Sequence, residues 1–569
     1  MRRSHRTRKR PRPKPGRPVE TGYSSSIAGV SDPIALLKSA IDEAVSTIRG
    51  NRDGGAEPIL ERPPKAELGD YSTNGAMLLA PALGAPPRAI AEQLREAVVE
   101  SLSGSVDRLE VAGPGFLNLY VSDRWCREAV GAVLAAGPQF GSLPPGSGER
   151  VSVEFVSANP TGPLTAASGR HAAYGDAIAN LLEARGCIVE REYYNNDAGG
   201  QIDRLVASVA ARMRREPVPE DGYAGEYLVE VAAQLAADGL SPDDHDGLFT
   251  AAPAKILGSI EQTLRSFGVE FDSFVSERRL HDSGAVAKIL ADLRASTHCY
   301  ESDGARWLRT TSFGDDKDRV LVRSSGEPTY LAADLAYHRD KLERGAERMI
   351  SVLGADHGSH PPRIRAGLAA LGYDPKRYRA PIIQMVQLSS GGARAKMSKR
   401  AGSFVPLDEV IAEIGADATR FLMLQRSNDS ELELDLELAK RQSADNPVYY
   451  VQYAYARINS ILRKSGEGLM AIDPEAIAEV AVEPSERRLI KRLIELPVEI
   501  EESAKRLGPH RLSAYGMAAA ADFNAFYRDC KVLGAPDRVE PARLAVCVAC
   551  GSVLARTLAL LGVSAPESM

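Results

Sequence analysis

Cysteines, long apolar runs and a surplus of either charge are all scarce in this 569-residue chain. Its six cysteines (Cys126, Cys187, Cys299, Cys530, Cys547, Cys550) are scattered, which excludes a disulfide framework and fits reduced thiols in a cytoplasm. Cys547 and Cys550 form a lone Cys-x-x-Cys within LAVCVACGSVLA. A zinc site needs two more ligands at matching spacing. None is found, so the pair reads as a buried helix face and no structural metal is expected. No stretch approaches the roughly 18 consecutive apolar residues of a membrane helix, and the charged N-terminus has no apolar segment for secretion. These absences lead to the expectation of a cytoplasmic protein with no membrane partner.

The net charge is only −6, but it is unevenly spread. Residues 1–20 carry nine Lys and Arg against one acid, which leaves −14 on the rest. A tail rich in Pro and Arg and poor in apolar residues is expected to be disordered, over about 1–32. An acidic body does not exclude a nucleic-acid partner, because local basic patches set such binding.

At this length one hydrophobic core does not suffice, and three to four domains are expected. Ser31-Asp32-Pro33 reads as a helix start; Ile34, Leu37, Ile41, Val45 and Ile48 follow at helical spacing, and Gly50 stops the run. VAGPGFLNLYVS (111–122) alternates like a half-buried strand after a Gly-Pro-Gly turn. A small α/β domain is therefore expected, bounded by the Gly/Pro-rich stretch 137–150. Next, VSVEFVS reads as a strand, SGRHAAYGDAIANLLEARG as an amphipathic helix ending at Gly186, and CIVEREYY as a second strand. This βαβ unit predicts a parallel, Rossmann-type sheet. Its ligands belong at the carboxyl ends of the strands, where VSANPTGPL lies. Residues 205–320 read as an insertion, and from about Leu436 helical periodicity dominates.

The sharpest local motif is AKMSKRAGSFV. Lys396 and Lys399 flanking Ser398, with Arg400 beside them, suit a loop that offsets charge developing on a triphosphate. KMSKR is a class I aminoacyl-tRNA synthetase signature. SANPTGPL with GRHAAYGDAIANLLEARG, EYYNNDAGGQI, EPTYLAADLAYHRDK, LGADHG and DNPVYYVQYAYARI together resemble the arginyl-tRNA synthetase family. ERPPKAELGDYSTN resembles the family's N-terminal tRNA-binding domain, and NAFYRDCKVLG and LLGVSAPESM its C-terminal anticodon-binding domain.

The resemblance covers about 33–569 and implies a multidomain α/β plus α fold. Residues 33–136 would form the tRNA-binding α/β domain and linker, 137–435 the catalytic domain, and 436–569 an all-α anticodon-binding domain. It implies ATP-dependent activation of L-arginine and transfer to arginine tRNA, with Mg²⁺ accompanying ATP, by a monomer. By resemblance Glu154, Asn159, Tyr330 and Asp334 line the arginine pocket; carboxylates suit a planar guanidinium. Glu154 in an apolar strand fits a site awaiting a cation. Pro160, Gly162 and position 167 would face ATP with Lys396 and Lys399.

The sequence departs from the family where PTGPL is followed by His-x-Gly-His. Here the four residues are Thr165, Ala166, Ala167 and Ser168. The two hydroxyls offer neutral hydrogen bonds in place of imidazoles, and Ala167 adds a methyl where adenosine would approach. His171, one helical turn on, reads as a solvent-facing residue, with partial compensation as the alternative. A second departure is LGADHGSHPPR, which lacks the usual second His after GADH and carries a Pro pair. Tyr449, Tyr450, Tyr453 and Tyr455 read equally as base-stacking or core residues. The missing histidines leave open a weakened paralogue that binds tRNA or arginine, or serves a specialised pathway such as inhibitor tolerance.

Overall fold

The computed structural model describes residues 33–50, 57–390, 393–394, 405–466 and 474–569. The basic tail, including Ser31 and Asp32, lies outside them. So do Lys396, Ser398, Lys399 and Arg400.

The first unit comprises α1 (Pro33–Arg49), β1 (Leu60–Glu61), β2 (Tyr71–Thr73), α2 (Gly75–Leu83), α3 (Pro87–Val99), β3 (Val106–Ala112), β4 (Phe116–Val121) and α4 (Asp123–Ala136). Leu37, Ile41 and Val45 are buried on one stripe of α1, as their spacing requires. Gly50 ends that helix with φ +61°. The strands form an antiparallel sheet in the order β1-β2-β4-β3. VAGPGFLNLYVS is thus the second half of a hairpin, its Gly-Pro-Gly turning between β3 and β4. Ser122 caps α4 by accepting from Trp125 N–H at 3.0 Å.

The core begins with β5 (Arg150–Glu154), α5 (Ala166–Ala184) and β6 (Ile188–Asn195). Then come α6 (Gly200–Arg214), α7 (Tyr227–Ala237), α8 (His245–Ser266), β7 (Ser273–Ser276), α9 (Glu277–Asp282) and α10 (Ala285–Ala295). A small antiparallel sheet follows, made of β8 (Cys299–Ser302), β9 (Ala305–Leu308) and β10 (Arg319–Val322). After it come α11 (Tyr330–Glu343), β11 (Arg348–Ser351), β12 (Leu353–Gly354), α12 (His360–Ala370), β13 (Tyr378–Arg379) and β14 (Ile382–Ile383). The main sheet is parallel, in the order β13-β11-β5-β6-β7. β7 lies within 205–320, so the chain rejoins the sheet once inside that span.

Central β5 is buried on both faces from Val151 to Glu154, as the middle of a parallel sheet demands. α5 is less amphipathic than expected. It is buried on most sides, wedged between the sheet and the helices that follow. The contact requires glycine at 175, where a Cβ would stand 2.2 Å from Phe155 Cγ.

The chain continues through β15 (Val386–Ser390), β16 (Ala393–Arg394), α13 (Leu407–Ile414), α14 (Ala416–Met423), β17 (Leu432–Asp435) and α15 (Leu436–Lys440). It ends in a bundle of α16 (Pro447–Ser465), α17 (Pro474–Ile477), α18 (Pro484–Leu493), α19 (Leu496–Arg506), α20 (His510–Asp529) and α21 (Val539–Leu560). The multidomain α/β plus α architecture expected from sequence is the one found.

Among the described helices, α21 alone is long and apolar enough to cross a membrane, but most of it is buried within the bundle. Cys547 and Cys550 are fully enclosed there, and burial raises both thiols well above their ordinary range. The first unit and the bundle are joined by charge. Arg127 of α4 and Glu486 of α18 pair at 2.5 Å with both side chains buried, and Lys491 Nζ meets Asp70 Oδ1 at 2.7 Å.

Candidate active site

β5 leads through α5 to β6 on one side, while β11 joins β5 on the other. The sheet therefore reverses its winding between β5 and β11, and the crevice beyond their carboxyl ends is the place for a ligand. Both strands end in polar residues. Glu154 closes β5 and Ser351 closes β11, directly opposite it in register. The chain then leaves β5 abruptly, with Val156 at φ +67° and Ser157 at φ +42°. A β-branched residue in that region stores strain of order 1–3 kcal/mol. The turn aims Ser157 Oγ at Glu154 Oε1, 3.3 Å away, and lets it accept from Tyr194 N–H at 3.1 Å.

Glu154 was expected to await a cation from outside, and the fold supplies one instead. Lys341 Nζ, fully buried on α11, donates to Glu154 Oε2 at 2.8 Å, and Ser351 Oγ donates to the same oxygen at 2.9 Å. Burial alone would push this carboxyl up, but Lys341 outweighs it, with His338 and the hydrogen bonds, and holds it at about 2. Lys341 also stands 3.3 Å from the buried Glu192.

Asp334, on the second turn of α11, is half-buried and receives His360 Nε2 at Oδ2, 2.9 Å. Tyr330, at the start of the same helix, is 70% exposed. Asn159 is exposed and Pro160 buried on the loop after β5. Gly162 lies on that loop beside the Tyr227 hydroxyl.

The structure adds a residue that sequence reasoning passed over. Glu277 follows directly on β7 and is buried. Its pKa is raised to about 7, first by burial and then by the charges of Asp334 and Asp197, against a hydrogen bond from Tyr194. Among the described residues neither Glu277 nor Asp334 pairs with a lysine or arginine; His281 lies 3.9 Å from Glu277 and His360 2.9 Å from Asp334. The available signal was an acid at the carboxyl end of a strand.

At the start of α5, Thr165, Ala166, Ala167 and Ser168 form a capping box. Ser168 N–H donates to Thr165 Oγ1 at 3.2 Å, Thr165 N–H reaches Ser168 Oγ at 3.4 Å, and the two hydroxyls are 3.1 Å apart. Ala166 N–H donates to Val405 O at 2.9 Å, so the chain emerging after the KMSKR segment is fastened to this helix start. Ala167 is exposed.

His171 does not face solvent as expected. It is half-buried, turned toward Gly354 and hydrogen-bonded to the Val352 backbone just beyond β11. Its pKa is lowered to about 4, by burial first and then by Arg170. It is therefore a neutral imidazole at the crevice wall.

On the bundle, Tyr449 and Tyr453 stack with centroids 5.6 Å apart. Arg457 lies 4.7 Å from the Tyr453 ring and 5.6 Å from the Tyr527 ring. Tyr453 and Tyr527 are exposed, whereas Tyr450 and Tyr455 pack against the core.

Comparison with known proteins accounts for this arrangement. The described units match the arginyl tRNA synthetase N terminal domain over residues 35–121, the class I (R) tRNA synthetase catalytic domain over 225–460 and the DALR anticodon binding domain over 451–569. The arginine–tRNA ligase of Moorella thermoacetica is 44% identical over 94% of this chain and 98% of its own length. The chain belongs to the arginyl-tRNA synthetase family. A second family member, the arginine–tRNA ligase of Frankia alni, is 46% identical over 90% of this chain and 94% of its own. The Thermus thermophilus arginyl-tRNA synthetase superposes with a TM-score of 0.76 at 25% identity, covering 94% of this chain and all of that one.

Proposed function

We propose that this family member is an arginine–tRNA ligase. The arginine carboxylate attacks the α-phosphorus of ATP, pyrophosphate leaves, and a terminal ribose hydroxyl of arginine tRNA then takes the arginyl group from AMP. The observation that carries this reading is that Asp334, half-buried on α11, lies close enough to the buried Glu277 for its charge to raise the Glu277 pKa, an acidic pair whose charge suits a guanidinium. Asn159 and Tyr330 complete the amino-acid site. Glu154 anchors its floor through Lys341.

ATP, with Mg²⁺ as part of the substrate, belongs against Pro160, Gly162, Ala167 and the start of α5. There Thr165 and Ser168 would contact it, and Lys396, Ser398 and Lys399, which lie outside the described residues, would by resemblance to the family supply charge to the triphosphate. On this reading residues 33–136 and 436–569 bind tRNA and 137–435 catalyse. Six free thiols fit a protein at work in the cytoplasm, and by resemblance to the family it would act as a monomer. The test is arginine-dependent ATP–pyrophosphate exchange in the presence of arginine tRNA, followed by aminoacylation. Exchange that requires both arginine and tRNA supports the reading. A protein that binds both and exchanges nothing refutes it.

A further inference from the structure

His360 opens α12 with Pro361 and Pro362 behind it in the first turn, in the segment where this chain departs from the family pattern. Proline fixes φ there, so the histidine is presented from a defined helix start. Nε2 lies 2.9 Å from Asp334 Oδ2, while Nδ1 is buried with no partner among the described residues. Among the described residues Asp334 is thus the ring's one hydrogen-bond partner.

The groups facing this ring are Asp334 on α11, Glu154 at the end of β5, Arg363 on its own helix and His357 on the preceding loop. Burial disfavours the imidazolium, but the bond and charge of Asp334, with Glu154 behind it, outweigh burial and raise the pKa above its ordinary value. A guanidinium held bidentately needs both oxygens of a carboxylate, and His360 occupies one of them.

We propose that His360 is a placeholder cation: it holds Asp334 while the amino-acid pocket is empty, and the incoming guanidinium takes over the carboxylate as the imidazolium gives its proton to solvent. The inference rests on the reading of this pocket as the arginine site. It makes His360 a positioning residue, which sets the pH range over which the pocket accepts a cationic side chain. Without it, Asp334 would add its charge to that of nearby Glu277 with no hydrogen-bonded cation of its own until substrate arrived.

The experiment is calorimetric titration of the full chain with L-arginine between pH 5.5 and 7.5. Two buffers of different ionisation enthalpy count the protons released. The comparison spans wild type, His360→Gln, His360→Asn, Glu277→Gln and each His360 change combined with Glu277→Gln, with folding checked by thermal melts. Wild-type affinity is expected to fall, as pH is lowered, more steeply than that of either His360 variant, by up to about tenfold per pH unit for one additional proton. The difference should persist in the Glu277→Gln background, which removes a second group able to release a proton. Equal proton release in wild type and both His360 variants overturns the placeholder role and leaves the ligase reading intact. Absence of arginine binding by wild type at every pH sinks both.

Discussion

Thr165 and Ser168 satisfy each other. The Ser168 amide donates to the Thr165 hydroxyl oxygen at 3.2 Å, and the Thr165 amide reaches back to the Ser168 hydroxyl. At positions where the resemblance leads one to expect two imidazoles, this chain therefore holds a pair that stabilises the helix carrying it, worth about 1 kcal/mol. Two hydroxyls that share one hydrogen bond at 3.1 Å leave one hydroxyl proton for a ligand. What the site has lost is the second donor and the capacity for positive charge.

Glu277 links pH to both stability and binding. Its pKa is raised to about 7, so below about pH 4 the free protein carries no penalty. As pH rises through 7 the buried carboxylate is forced to ionise, and the free protein loses up to about 3 kcal/mol. Glu277→Gln should therefore melt higher than wild type at pH 8 and alike at pH 4. The same variant should bind arginine more weakly at pH 8. A melt that is unchanged at pH 8 would show that Glu277 is ionised without cost.

The Arg127–Glu486 pair fastens the first unit to the bundle. Arg127 also donates to Ala481 O at 2.9 Å and Val480 O at 3.1 Å. Its removal leaves Glu486 buried with only Arg543, 3.7 Å away. Arg127→Met should cost about 3–5 kcal/mol, and adding Glu486→Leu should recover much of that. Limited proteolysis between 137 and 149, together with thermal melts, reads the result. A single variant as stable and protease-resistant as wild type would show that the pair does not hold the two units together.

Tyr453 and Tyr527 flank Arg457 on an exposed face of the bundle. Aromatic stacking on an unstacked base is worth about 1–3 kcal/mol, so Tyr453→Ala and Tyr527→Ala should each weaken binding of arginine tRNA by that order. Affinity for free arginine should stay as it was. Filter binding over a salt series should show the steep loss expected of phosphate neutralisation in all three proteins. Wild-type affinity for tRNA in both variants would place the anticodon elsewhere.

The parts of this site that are local in sequence were legible, and those assembled across it were not. The βαβ succession around α5 announced a parallel sheet and the end of it that binds. Spacing put Tyr330 and Asp334 on one helix. By contrast, the partner of Glu154 is Lys341, 187 residues away, and no periodicity reports such a pairing. Glu277 depends on β7 rejoining the sheet inside a span that reads as an insertion. His171 was misjudged because α5 is enclosed by α13, α14 and the bundle as well as the sheet, so the face that would meet solvent on a peripheral helix meets the 352–354 segment instead.

The altered helix start offers the most direct trial of the enzyme. Of the first amides of α5, Ala166 N–H is taken by Val405 O and Ser168 N–H by Thr165 Oγ1. Among the described residues Ala167 N–H has no such partner, which leaves it as a first-turn donor for a phosphate. The wild type should therefore form arginyl-adenylate slowly. The triple change Thr165→His, Ala167→Gly, Ser168→His replaces the capping box with two imidazoles and clears the methyl at 167. One lost transition-state donor costs on the order of 10²–10³ in rate; two that act together recover less than their product. A gain of about 10² or more in pre-steady-state adenylate formation is expected, along with a stability loss of about 1 kcal/mol from the missing cap. A fast wild type that gains nothing would mean that this chain stabilises the transition state by other groups. The neutral His171 at the crevice wall would be the first to replace. A triple variant that stays inert while binding arginine, ATP and tRNA would separate binding from catalysis in this fold and refute the ligase assignment.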